Sequence, residues 1–232
     1  MRAAPFGRLS SCKNFAQYVH MICPQNMPSM SKPASAKTIP ITFARMVDEV
    51  RACTLCSAHL PLGPRPIFQL NPAATILIAG QAPGKKAHES GIPFNDPSGD
   101  RLRNWMGIDR DTFYDDQRIA ILPMGLCFPG TAAGGDLPPR PECAAQWRQR
   151  LLDSLPNIRL TLVIGSYAMH WHAQASKNLS VTDIVKEWQT HWPAMLPLPH
   201  PSPRNQRWLR NNPWFEHEVI PVLRGGVAQL ID

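Results

Sequence analysis

The chain has 232 residues, a formal net charge of +7 and a pI near 9.3, enough length for one α/β domain with a substantial core. Five of the basic residues (Arg2, Arg8, Lys13, Lys32, Lys37) fall within positions 1–40, which hold no acidic residue, so the rest carries only +2 and the basic pI alone does not indicate a nucleic-acid face. No apolar run approaches the ~18–20 residues needed to span a bilayer, and no continuous apolar stretch marks a secretory signal, which sets the membrane and secreted classes aside.

Residues 1–40 read as a basic, disordered extension, with Met30 as an alternative start and no role for Cys12 or Cys23; residues 41–232 read as a single domain. A helix is predicted over 41–56, where Phe43, Met46, Val47 and Val50 recur at helical spacing. Residues 57–72 are a proline-punctuated connection, followed by a strand, Thr75–Ala79, and a turn, Gly80-Gln81-Ala82-Pro83-Gly84. A long loop is predicted over 84–99, a short helix around Asp100–Met106, and a second strand over Ile119–Leu122. A Pro/Gly-rich loop, 127–142, leads to a helix near Glu142–Leu155 with Trp147, Leu151, Leu152 and Leu155 on one face. The third strand is Leu160–Ile164, followed by a helix from about Ser166. The fourth ends at Leu198, just before His200-Pro201-Ser202. The last helix is predicted over Asn212–Arg224, with Pro213 in its first turn. Strands alternating with helices predict a three-layer α/β/α sandwich around a central, mainly parallel four-stranded sheet.

Two turns then stand out. In a parallel sheet the turns at strand C-termini lie side by side, where ligands bind. One such turn is Gly80–Gly84, and the other carries His200. A P-loop reading of the first turn fails, because it lacks the Lys-Ser/Thr ending. Outside the extension there are four cysteines: Cys53 and Cys56 in one Cys-x-x-Cys, and Cys127 and Cys143 flanking the loop after the second strand. Four buried thiols, a zinc site and an iron–sulfur cluster are all readings of this set. Disulfides do not fit a chain without a secretory signal.

Over roughly residues 45–224 the chain resembles the uracil-DNA glycosylase superfamily, and most closely its iron–sulfur families 4 and 5. The resemblance rests on Cys53–Cys56 ahead of the first strand, on Gly80-Gln81-Ala82-Pro83-Gly84, on Gly91-Ile92-Pro93-Phe94, on Asp96-Pro97-Ser98-Gly99, on the later cysteine pair, on His200-Pro201-Ser202 and on Asn205. It departs at two places. Gln81 stands where family 4 has an acidic residue, and Pro123 stands where family 4 reads the base with an Asn.

The resemblance implies a DNA glycosylase that removes uracil or another deaminated base after flipping it out of the helix. The partner would be DNA containing that base. A monomer acting in the cytoplasm on the nucleoid is expected. The runner-up is a non-catalytic damaged-DNA-binding module on the same fold. His200 would donate a hydrogen bond to the departing base anion, Asp96 would orient or activate water with Gln81 positioning it, and Glu89 is the fallback carboxylate. Gly80, Ala82, Phe94 and Asn205 would hold the base. Ser202, Arg204 and Arg207 would contact DNA, with Lys85 and Lys86 as further phosphate ligands and Trp208 packing beneath the loop. Cys53, Cys56, Cys127 and Cys143 would ligate one [4Fe–4S] cluster, in preference to zinc.

Overall fold

The computed structural model describes residues 42–174 and 178–231. The extension over 1–40, with Cys12 and Cys23, lies outside the described residues. The main sheet has four strands, β1 (Ile76–Ala79), β2 (Ile119–Ile121), β5 (Leu160–Ile164) and β6 (Met195–Leu198), in the order β2-β1-β5-β6. All three pairings are parallel, with Ile78 opposite Ile121 and Leu162, and Ile164 opposite Leu198. Two further strands of two residues each, β3 (Thr131–Ala132) and β4 (Gly135–Asp136), form a separate antiparallel hairpin.

The strands are short apolar runs because both faces of the sheet are covered. Ile76 and Ile78 pack into one core with Leu102, Trp105, Met106, Phe215 and Leu223. Leu77 points the other way, into a second core with Met46, Val50, Trp147 and Leu151. Helix α1 (Phe43–Arg51) and the helix over 141–153 therefore cover one face, while α3 (Pro97–Met106) and the helix over 213–231 cover the other. This is the three-layer sandwich that the alternation of elements predicts. Pro197 is tolerated within β6 because β6 is an edge strand.

Three local predictions need correction. The segment 84–99 is not a continuous loop: it contains α2 (Lys85–Ser90), and α3 begins at Pro97 rather than near residue 100. Helix α2 is short and polar, so it has no apolar periodicity to reveal it. Helix α3 starts early because Asp96 is its N-cap: the Asp96 carboxylate accepts from the Gly99 N–H at 2.9 Å, and Pro97 follows at the first helical position. The last helix does not stop at Arg224 but continues to Ile231 through Gly225-Gly226. Gly226 serves packing there, since a Cβ at that position would lie 2.3 Å from the Trp192 ring. The loop over 127–142 holds the unexpected β3–β4 hairpin.

The corner between Phe94 and α3 is tight. Phe94 has a φ of 54°, uncommon for a non-glycine residue. A Cβ on Gly99 would fall 1.8 Å from the Phe94 carbonyl oxygen. Gly99→Ala should therefore force α3 away from Phe94 and destabilise the fold by about 1–3 kcal/mol, the usual range for overpacking. Urea denaturation followed by circular dichroism checks this, and an unchanged midpoint would contradict the packing described.

Candidate active site

β1 and β6 lie on either side of β5, two inter-strand spacings apart, or about 10 Å. The turns that follow them, Gly80–Gly84 and Pro199–Ser202, therefore face each other across the end of β5. Between them is a cleft of about 290 Å³, lined by Gly80, Gln81, Ala82, Pro83, Gly84, Phe94, Asp96, Pro123, Asp136, His200, Ser202 and Arg204, among others. A larger concavity, about 730 Å³, lies between α1 and the segment 91–93 and contains neither turn. The smaller cleft holds both turns at the C-terminal edge of the sheet, so it is the candidate site.

His200 is held from three directions. The Ser202 N–H donates to its Nδ1 at 3.2 Å, and the Asn205 side-chain amide donates to its carbonyl at 2.7 Å. Arg101, on α3, donates to the Ser202 carbonyl at 2.9 Å and to Gln206 at 3.0 Å. With Nδ1 accepting, the neutral ring carries its proton on Nε2, which leaves Nε2–H as a donor. Burial pushes the His200 pKa below its ordinary value, while the charges of Asp96 and Asp136 pull weakly the other way. The group is a neutral hydrogen-bond donor aimed by a rigid turn.

Phe94 lies against Gly80, where a Cβ would be 3.5 Å from the ring. Its ring meets Phe113 edge-on at 6.2 Å. The loop that carries it is pinned by Tyr114, which donates to the Pro93 carbonyl at 2.8 Å, and by Arg110, which donates to Asn95 at 3.0 Å. Phe94 thus both packs on the core and lines the cleft. Asp96 lines the cleft too, with one oxygen committed to capping α3.

Other predicted residues fall differently. Gln81 lines the cleft, and its side-chain amide donates to the Leu137 carbonyl at 3.3 Å, tying the turn to the segment after the hairpin. Asn205 braces the His200 turn from behind and does not line the cleft. Ser202 and Arg204 line it, whereas Arg207 is exposed outside it. Lys86 reaches the cleft; Lys85 and Glu89 lie outside it and face each other at 3.9 Å. Trp208 packs against Trp214 and Phe215 and donates to Thr182 at 2.8 Å, as a support beneath the loop.

Two residues in or behind the cleft escape a sequence reading. Asp136 lines it from the hairpin, where its exposed, glycine-flanked setting gives no pattern to follow. Arg148 is 2% exposed. It donates to the Leu122 and Pro123 carbonyls at 3.2 and 3.0 Å and contacts His172 Nε2, fixing the cleft wall at Pro123 from inside. Burial lowers the Arg148 pKa to about 10, and burial with the Arg148 charge lowers that of His172 to about 3, so His172 is neutral and can accept. A charged residue on a helix reads as solvated surface, so nothing in the sequence singles out Arg148.

The four cysteines outside the extension are free thiols that line one small cavity with Leu55, Pro66, Leu126 and Trp147. Two N–H donors point at sulfur: Leu126 to Cys143 at 3.3 Å and Trp147 Nε1 to Cys53 at 3.2 Å. Burial raises the Cys127 pKa to about 12 and that of Cys143 to about 11, and the neighbouring thiols add to both shifts. Among the described residues, no group of three or more His, Cys, Asp or Glu is arranged to hold a metal ion as it stands.

The parallel α/β/α sandwich thus brings a His-bearing turn and a glycine-rich turn to one cleft that Phe94 also lines. Residues 67–224 match the family model of the uracil DNA glycosylase superfamily. That is well over half of the chain, and the chain belongs to this superfamily. Its members are DNA glycosylase-like proteins, for which DNA is the substrate. No helix among the described residues is long and apolar enough to cross a membrane.

The His200 geometry has a spectroscopic consequence. In ¹⁵N-edited NMR, His200 should be neutral at pH 7 with the proton on Nε2, and should titrate below an ordinary histidine. A protonated ring at pH 7 would contradict the burial and hydrogen bonding described.

Proposed function

We propose that this protein hydrolyses the N-glycosidic bond of a deaminated base in DNA after the nucleotide is flipped out of the helix. The observation that carries the proposal is that His200, its Nδ1 accepting from the Ser202 N–H, lines a cleft with the Gly80–Gly84 turn and Phe94. Flipping costs a few kcal/mol, least at a mismatched or damaged base.

In this reading the base stacks on Phe94, with Gly80 allowing close approach and the turn at Gln81 and Ala82 meeting its edge. As the bond breaks, the sugar gains positive charge and the base leaves with the electron pair. His200 donates to the developing negative charge, in an arrangement that Asn205, Ser202 and Arg101 hold in place before reaction. Asp96, one oxygen on Gly99, orients the attacking water with the other. Arg204, Ser202 and Lys86 at the cleft supply contacts to the DNA backbone, with Arg207 further out. The chain acts as a monomer on cellular DNA.

Pro123 has no side-chain donor, and its carbonyl is taken by Arg148. Base identity is thus set by the turn backbone and His200 rather than by an amide side chain at this position. Uracil, hypoxanthine and xanthine are the candidate bases.

The cysteine set supports a [4Fe–4S] cluster held by Cys53, Cys56, Cys127 and Cys143. A shared apolar cavity and two N–H···S donors suit cluster sulfurs. Such a group would supply cross-linking of α1's end to the 126–143 region, a structural role outside the hydrolytic step. Anaerobically purified protein should contain about four iron atoms per chain, and Cys127→Ala should lose them. Zinc without iron would overturn the cluster.

The function is tested by incubating the protein with single- and double-stranded DNA containing each candidate base and cleaving abasic sites with alkali. Product is expected from at least one. His200→Ala should lower single-turnover excision by ~10²–10³-fold with little change in DNA affinity, because backbone contacts supply most of that affinity. Binding to damaged DNA without product from any base would instead favour a non-catalytic sensor on this fold, a reading that the neutral Gln81 in the turn also suits.

A further inference from the structure

We propose that Asp136, carried on the β3–β4 hairpin, is a second catalytic carboxylate of the cleft and takes the proton of the attacking water. The proposal rests on the glycosylase reading above and adds to it a residue drawn from outside the sheet.

Two carboxylates line the cleft, Asp96 and Asp136. Asp96 has Oδ1 engaged by the Gly99 N–H as the cap of α3. Asp136 accepts only weakly from Thr131, whose Oγ1 lies 3.4 Å from Oδ1. Its Oδ2 faces the Gly80–Gly84 turn so closely that a Cβ on Gly84 would sit 3.2 Å away. The residue thus sits beside the Gly80–Gly84 turn, and its charge is felt at His200.

The hairpin is built to hold this position. Thr131 pairs with Asp136 and Ala132 with Gly135, and the Leu137 N–H donates to the Gly130 carbonyl at 2.9 Å. Gln81 then reaches from the first turn to the Leu137 carbonyl at 3.3 Å. On the other side the Arg204 guanidinium lies against Gly135, where a Cβ would be 2.7 Å from Nη1. The turn after β1 therefore carries a neutral amide that tethers the hairpin, and the hairpin brings the carboxylate. Asp136 is exposed in the free protein. DNA laid over the cleft would remove it from water and strengthen its interaction with a cationic sugar.

The step balances as follows. The water oxygen bonds to the sugar C1′ as the C1′–N bond breaks. The bonding pair leaves on the base nitrogen, next to the His200 donor. The water's proton passes to the Asp136 carboxylate, and from there to solvent, while the released base anion takes up a proton from solvent. Asp96 orients the water, and Asp136 accepts its proton.

The test compares wild type, Asp136→Asn and Asp96→Asn in single-turnover excision of the base that wild type releases, with affinity for an uncleavable analogue of the same duplex measured in parallel. Asn keeps the shape of either residue and can still cap α3, so the comparison isolates charge. Asp136→Asn should excise ~10²-fold or more slowly, as expected for loss of a general base, with unchanged melting and near-unchanged DNA affinity. Gly84→Ala, which displaces Asp136 Oδ2, should give a smaller loss. Wild-type excision by Asp136→Asn, or an effect confined to DNA affinity, would overturn the proposal and leave the glycosylase reading standing. A wild type that releases no base would overturn that reading, and this assignment with it.

Discussion

Parallel pairing of β1, β5 and β6 is the constraint on which the site depends. With Ala79 opposite Val163 and Ile164 opposite Leu198, the strands end level, and the turns after β1 and β6 emerge at one edge with one strand between them. That separation, about 10 Å, admits a flat ring and side chains on either side of it. Antiparallel pairing of β6 would send His200 to the far end of the sheet. The burial of both faces of β1 holds the register, because a one-residue slip would exchange the sides to which Ile76, Leu77 and Ile78 point.

Around this frame the site is stiffened by bonds that contact no ligand. Helix α3 contributes twice: its cap fixes Asp96 beside Phe94, and its Arg101 holds the Ser202 carbonyl and so the turn of His200. Arg148 does the same for the Leu122–Pro123 wall. The Met124 and Gly125 N–H groups, each donating at 2.9 Å to the Gly80 and Gln81 carbonyls, join that wall to the first turn. The segment then enters the cysteine cavity at Leu126 and Cys127. One short stretch of backbone thus joins the cleft to the cysteine cavity.

Much of this was legible in the sequence, and the rest was hidden for identifiable reasons. Apolar runs closed by Gly or Pro mark every strand of the main sheet, since a buried parallel strand has no polar face. The paired turns at Gly80–Gly84 and His200–Ser202 could be placed at one edge because the alternation of elements fixes parallel topology. Helix α2, with the sequence Lys85-Lys86-Ala87-His88-Glu89-Ser90, has no apolar face and depends on tertiary support. The hairpin of Asp136 has two-residue strands in polar, glycine-rich sequence, so neither it nor its carboxylate could be anticipated. Asn205 reads as a ligand contact but serves as a brace, a distinction that only geometry makes. Gly225-Gly226 reads as a stop, because the Trp192 ring that requires Gly226 comes from a distant segment.

Under the proposed function, the cleft hydrolyses a glycosidic bond with water as the nucleophile. Mass spectrometry of an oligonucleotide bearing the susceptible base, after reaction in H₂¹⁸O, tests it most directly. The expected product is a strand that has lost the base and, when trapped by reduction before exchange, carries one heavy oxygen at the sugar. A strand of unchanged mass, or one that has lost the base without gaining solvent oxygen, would contradict it.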